Sequence, residues 1–313
     1  MEIERRTAER AGEPDRAAEP LLDRWVRRQA WLEPVADSLQ GAIGAVYGAL
    51  GGPGRTLKSL LHGTLVTGHP LHPAITDVPI GAWIVGVVLD YVALASGVVS
   101  PAAGDVALAI GLVGAVGAAL SGYTDFHETS GQERRLAVTH GLTMTTVLLV
   151  EAVSLGLRWW GPGSLHVTAV LLATLGLALA LAGAYVGGHL VFGVGTMVNR
   201  NAFLSGAEEF VGVGASGDFP EGELRKVAAG GMPALVVRLG GRLHAISDVC
   251  SHAGGPLDEG TLSGDVVTCP LHGSRFCVRD GKAVSGPATF DQPAFVVREE
   301  DGQVALRLAH PVP

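Results

Sequence analysis

Hydrophobic and polar positions divide this chain into two regimes. Between residues 61 and 198 apolar residues run almost unbroken in four stretches, from about Ala74 to Val99, Gly104 to Tyr123, Ala137 to Trp159, and Leu165 to Phe192. Each matches the roughly 20 helical residues that cross a hydrocarbon core of about 30 Å. Breakers or charges bound them: Pro70 and Pro73 before the first, Pro101 after it, the His127–Arg135 segment after the second, and Gly161-Pro162-Gly163 between the last two. Small residues recur four apart, as in Gly117/Ser121 and Gly183/Gly187, a spacing that lets helix backbones approach closely. The pattern predicts a four-helix transmembrane bundle. No internal repeat stands out.

The flanks differ. Residues 1–60 carry both charges together with Trp25, Trp31 and several leucines, and residues 21–40 are expected to form an amphipathic helix on the membrane surface. Residues 199–221 are Gly-rich and read as a linker. Beyond them the pattern turns to short β-branched runs between Gly turns: Ala234–Arg238, Arg242–Ser247, Asp265–Thr268, Ala294–Glu300 and Gln303–Leu308. Gly240-Gly241 and Asp301-Gly302 are hairpin signals. The fold class expected is a multi-domain membrane protein, an all-α bundle followed by an all-β antiparallel domain over 222–313.

Composition sharpens this picture. Of 313 residues 48% are hydrophobic and only 17% charged, against about a quarter charged in soluble domains. Mean hydropathy is +0.35. A net charge of −8 argues against nucleic acid as a partner. Three cysteines are too few for a disulfide framework, which leaves them for chemistry. Lys and Arg set the expected orientation. Arg55, Lys58, Arg134, Arg135 and Arg200 fall at one end of the bundle and Arg158 at the other, placing both termini and the β domain in the cytoplasm.

Within the β domain stand Cys250-Ser251-His252 and Cys269-Pro270-Leu271-His272. Two Cys and two His could hold a tetrahedral zinc. A two-iron cluster with two thiolates on one iron and two imidazoles on the other uses the same set. Gly254, Gly255, Pro256 and Gly273 let two such loops approach and turn backbone N–H groups toward sulfur. Cys250-x-His252-x-Gly254-x-Pro256-Leu257 with Cys269-Pro270-x-His272-Gly273 resembles the Rieske signature, over about the last 100 residues. The resemblance implies a [2Fe–2S] cofactor and one-electron transfer, with Cys250, His252, Cys269 and His272 as ligands.

Departures from the family's variants carry meaning. Rieske proteins of cytochrome bc complexes add a disulfide between the loops, where this chain has Gly255 and Leu271. They also carry a Tyr that donates to a thiolate, where this chain has Phe276. Ser274 remains as a donor to a bridging sulfur. Losing donors to sulfur lowers the potential, so a ferredoxin-like, low-potential variant is expected. Cys277 is expected to be a strand residue, and His244 and His310 ordinary strand and tail histidines. Rieske oxygenases add a domain with a two-His, one-carboxylate iron site. After His272 only His310 remains, so an oxygenase catalytic subunit is not expected.

The bundle has candidate chemistry of its own. His69, His72, His140 and His189 fall at the end that carries the β domain, with Asp77, Asp125 and His127 nearby. Gly68-His69-Pro70-Leu71-His72-Pro73, Asp77-Val78-Pro79 and Gly187-Gly188-His189 resemble a bacterial membrane family catalogued as domain of unknown function 2231, over about residues 60–200. Three readings of these histidines stand: axial ligands of a b-type haem, a quinone or metal site, or helix-end caps. Asp90 and Glu151 lie deeper, as an interior pair or a proton path. The function expected is a membrane-anchored electron carrier serving a redox partner protein or quinone. A membrane oxidoreductase with a second redox site and a redox sensor are the alternatives, and a homo-oligomer is compatible with either.

Overall fold

The computed structural model describes residues 20–310. Six α-helices precede ten strands among them: α1 Leu21–Arg27, α2 Leu32–His62, α3 Leu71–Ser96, α4 Pro101–Phe126, α5 Gly131–Trp160 and α6 His166–His189, the last continued by a π turn over Leu190–Val194. Helices α3 to α6 are long and apolar enough to cross a membrane. Their ends follow local chemistry. Ser100 caps α4 by accepting from the Ala102 N–H, with Pro101 at the first helical position. Gly63 closes α2 at φ +97°, where a Cβ would strike the His69 carbonyl. Side chains such as Val85, Val113, Leu171 and Leu181 point outward, while glycine, serine and charged groups gather inside.

The bundle is two helical hairpins, α3–α4 and α5–α6, each tight within itself and looser against the other. Equivalent residues meet across its axis. Asp90 and Arg158 lie 68 residues apart and form a two-pronged ion pair with N–O distances of 2.8 and 2.5 Å. His72 and His140 are separated by the same interval and also face each other. Trp83 and Glu151 stand at the same interval, and each crowds a glycine of its own hairpin's second helix, Gly111 and Gly176. The repeat not evident in the amino-acid string is therefore present in three dimensions. It hides because the lipid-facing residues between these anchors need only be apolar.

Arg158 does not sit at the membrane surface as the orientation argument required. Its side chain is 1% exposed and bound to Asp90 and Asp105, so it says nothing of topology. Nor do Asp90 and Glu151 pair with each other, because Arg158 takes Asp90. Both Glu151 oxygens and Trp83 Nε1 are buried without a protein partner.

The segment expected to be one amphipathic helix, residues 21–40, is α1 and the first turns of α2, whose Val26, Leu32 and Ala36 pack on Phe126, Leu136 and Val186. Gly51 and Pro53 kink α2. Residues 1–19 lie outside the described residues. The stretch expected to be a linker is folded into the next domain. Buried Asn201 donates to the Val249 carbonyl and accepts from Ser247, and β1 (Val211–Ala215) pairs with the strand Gln303–Leu308.

The β domain has two antiparallel sheets. Strands β2 Arg225–Ala229, β3 Met232–Leu239, β4 Arg242–Ser247, β9 Ala294–Glu300 and β10 Gln303–Leu308 join β1 in the order β1-β10-β9-β4-β3-β2. The smaller sheet runs β5 Thr261–Ser263, β6 Val266–Thr268, β7 Arg275–Cys277 and β8 Ala283–Ser285. Leu235, Ile246, Leu257, Val267 and Phe276 fill the space between the sheets and the two cysteine loops.

Replacing Asp90 with alanine takes away the two-pronged partner of the Arg158 guanidinium and leaves it in the bundle interior with Asp105 alone. Removing one partner of a buried pair costs about 3–5 kcal/mol. The expected outcome is a marked fall in the thermal midpoint of the detergent-solubilised protein, and Asp90→Asn should recover part of it.

Candidate functional site

Two loops of one design carry the four candidate ligands. In the first, Gly254 N–H donates to the Cys250 carbonyl (2.8 Å) and Cys250 N–H to the Gly255 carbonyl (2.9 Å). In the second, Gly273 N–H donates to the Cys269 carbonyl (3.2 Å) and Cys269 N–H to the Ser274 carbonyl (2.8 Å). Each loop thus closes on itself and needs left-handed backbone at one residue, supplied by Gly254 (φ +77°) and Gly273 (φ +73°). Gly255 has a second duty. A Cβ there would sit 2.8 Å from Cys269 Sγ and 2.9 Å from the Leu271 side chain.

The loops bring the four residues together as two pairs, thiol with thiol and imidazole with imidazole. Cys250 and Cys269 are 1% and 3% exposed and their thiols are within hydrogen-bonding reach of each other. A hydrogen bond from Cys250 is the main cause that pulls Cys269 down to about 6, while the same contact and burial push Cys250 up. The imidazoles of His252 and His272 lie 5.0 Å apart, near perpendicular. Burial, then the neighbouring His272, lowers His252 to about 3, so its ring is neutral and able to ligate. Nδ1 of both rings is buried with no protein partner. Among the described residues no three His, Cys, Asp or Glu converge as they would around one ion. Two thiols on one side and two imidazoles on the other suit a two-iron group better than a single zinc.

Supporting contacts reach outward. Ser251 Oγ donates to the Phe290 carbonyl (2.7 Å). Ser274 Oγ is fully buried and accepts from Ala288 N–H (3.1 Å), which leaves its own proton free to point inward. Phe276 is fully buried and offers no hydroxyl. Half-buried Cys277 lies on β7, away from the loops.

The β domain is docked on the bundle through this same region. Thr64 Oγ1 lies 2.9 Å from both the Gly286 and Ala288 carbonyls, and Gly286 N–H donates to Ser59 Oγ (3.2 Å). His252 and His272 thereby line a cavity of about 470 Å³ that runs down between the hairpins past His72 and His140 to Trp83.

The four bundle histidines part company here. His72 and His140 come together, with ring centroids 6.1 Å apart. His69 instead packs edge-on against Phe290 of the β domain. His189 bonds Asp23 of α1 through Nε2 (3.0 Å), because α1 folds over the end of α6. Two further residues at the cavity went unforeseen. Buried His62 bonds Asp125 (2.6 Å), with its Nε2 unpartnered. Arg200 lines the same cavity with Nε buried and unpartnered. His62 stands in a helix that no motif marks, and Arg200 in the stretch read as linker. Beside them Glu128 is drawn down to about 2: burial alone would raise it, and hydrogen bonds from His127 and Lys58 outweigh burial.

These features define an electron-transfer domain of the iron–sulfur type beside a bundle of apolar helices. Residues 209–296 match the Rieske [2Fe–2S] domain and residues 68–200 match a family described as predicted membrane protein (DUF2231). The ferredoxin component of biphenyl 2,3-dioxygenase from Rhodococcus jostii (strain RHA1) is 45% identical over 94 residues, which are 30% of this chain and 88% of that protein. Ferredoxin CarAc from Metapseudomonas resinovorans is 40% identical over 91 residues, covering 29% and 85%. Among solved structures, a complex of reduced oxygenase and oxidised ferredoxin in carbazole 1,9a-dioxygenase aligns at 37% identity and a TM-score of 0.31, over 32% of this chain and 94% of that one. The chain belongs to the Rieske [2Fe–2S] family.

Gly255→Val should drive the Cys269 sulfur from its place. Iron per purified chain is expected to fall several-fold. Gly212→Val, where a side chain meets open space, should retain it.

Proposed function

We propose that this chain is a membrane-anchored one-electron carrier, a ferredoxin-like Rieske protein held by its helices beside its redox partner. The observation that carries the proposal is a pair of buried thiols and a pair of buried, unpartnered Nδ1 atoms on two matched loops. Cys250 and Cys269 would hold one iron, His252 and His272 the other. When bound, such a cluster takes up and returns a single electron. The protein supplies the rest. Burial keeps water from the sulfurs, the loop glycines allow the close approach, and the imidazoles carry the electron's exit to the surface of the cavity. The two relatives named as ferredoxins support a low-potential carrier that serves an oxidoreductase. The cluster of Lys and Arg at the β-domain end supports a cytoplasmic placement.

A second reading, a membrane oxidoreductase with its own site in the bundle, is favoured by one observation. The cavity joins the two Rieske imidazoles to His72 and His140.

Two variants and one potential test the carrier. His252→Ala and Cys269→Ala should each abolish the Rieske signal in the electron paramagnetic resonance (EPR) spectrum of the reduced protein. An unchanged signal in either would overturn the ligand assignment. Ser274→Ala should retain the cluster but lower its midpoint. A net hydrogen bond is worth about 1 kcal/mol, roughly 40 mV for a one-electron couple. Phe276→Tyr should move the midpoint the other way.

A further inference from the structure

We propose that the seam between the two helical hairpins binds a b-type haem, with His72 and His140 as its two axial ligands. The proposal goes beyond the carrier reading and does not need the Rieske cluster to be present.

Each ring is held by a backbone carbonyl of the other helix of its own hairpin. His72 Nδ1–H donates to the Ala118 carbonyl on α4 (2.8 Å), and His140 Nδ1–H to the Gly183 carbonyl on α6 (2.9 Å). A carbonyl can only accept, so both rings carry their proton on Nδ1 and leave Nε2 with a lone pair. This tautomer, fixed by a backbone carbonyl, is how proteins orient a metal-binding histidine. Both rings line the cavity. The anchoring is repeated to the residue: one turn beyond each carbonyl stands a glycine, Gly122 against His72 and Gly187 against His140. A Cβ would sit 2.8 Å from the His72 ring and 3.0 Å from the His140 ring. Two hairpins of otherwise dissimilar sequence have kept one device.

Distance and ligand count narrow the occupant. Centroids 6.1 Å apart leave room for two metal–imidazole bonds of about 2 Å end to end, plus the inner half of each ring. The 79° between ring planes does not interfere, since each ring turns freely about the nitrogen–metal axis. A bare ion needs further protein ligands, and among the described residues no third His, Cys, Asp or Glu joins the pair. Haem iron needs none, because the porphyrin supplies four nitrogens and the protein only the axial two.

Space and charge agree. His72 and His140 sit on α3 and α5, diagonal partners in the bundle. The plane between them is the loosely packed seam. Small residues, among them Ala118, Gly122, Gly141, Ala184 and Gly187, flank it, and about 470 Å³ lies within the range of cofactor sites. A macrocycle there needs a cation for its propionates. Arg200 lines the same cavity with a buried, unpartnered Nε. The Rieske imidazoles border this cavity as well, so one electron could pass between the two irons, one losing what the other gains, with no proton or bond change.

The test uses the full chain in detergent, freed of haem and titrated with hemin, with the Rieske EPR signal recorded on the same samples. The expected result is one hemin per chain and the sharp reduced bands of six-coordinate, low-spin haem. His72→Ala and His140→Ala should each lose the low-spin spectrum and weaken binding at least tenfold, and added imidazole should restore it in both. His189→Ala should behave as wild type. The cluster signal should persist throughout, so a failure here is distinguishable from a failure of the carrier assignment. Wild type that binds no hemin while its cluster is intact would overturn the proposal. So would unchanged low-spin binding in the His72→Ala/His140→Ala double variant, or a tightly held quinone that excludes hemin.

Discussion

Everything in the redox half depends on the burial of two thiols against each other. Sulfur groups at 1% and 3% exposure cannot both ionise there without a compensating cation, so the loops are shaped for a cationic metal group. That requirement explains the features around it: two reciprocal backbone bonds in each loop, glycine at the left-handed turn, and glycine again where a Cβ would collide with sulfur. Burial, with His272 beside it, holds the His252 ring neutral as well.

The same constraint joins the two halves of the molecule. Ala288 donates its N–H to Ser274 in the second cysteine loop, and its carbonyl accepts from Thr64 in the turn between α2 and α3. A shift of the β domain against the bundle would therefore disturb the loop that carries Cys269 and His272. In exchange, the imidazoles are fixed at the mouth of the inter-hairpin cavity. The docking of the β domain and the placement of its imidazoles are one arrangement.

Much of this was legible in the order of residues. Four apolar runs marked the helices because lipid imposes a single requirement on 20-residue stretches, and paired Cys-x-His and Cys-Pro-x-His marked the loops because ligand chemistry tolerates few spacings. What escaped was relational. β1 and β2 are short and rich in Gly, Ala and charge, and they become strands only because β10 and β3 pair with them. Arg158 looked like a surface charge until Asp90 was found opposite it. His189 and His69 looked equivalent to His72 and His140, yet Asp23 and Phe290, far away in the chain, take them. The duplication of the hairpins rests on a few anchored positions, too sparse to register as a repeat.

The central claim is that one iron is held by two thiolates and the other by two imidazoles. Mössbauer spectroscopy of the iron-57-enriched full chain, oxidised and then reduced by one electron, tests this most directly. The account predicts two unequal ferric sites in the oxidised protein and, after reduction, a ferrous site confined to one of them. Two equivalent iron sites, or a chain that carries zinc in place of iron, would contradict it.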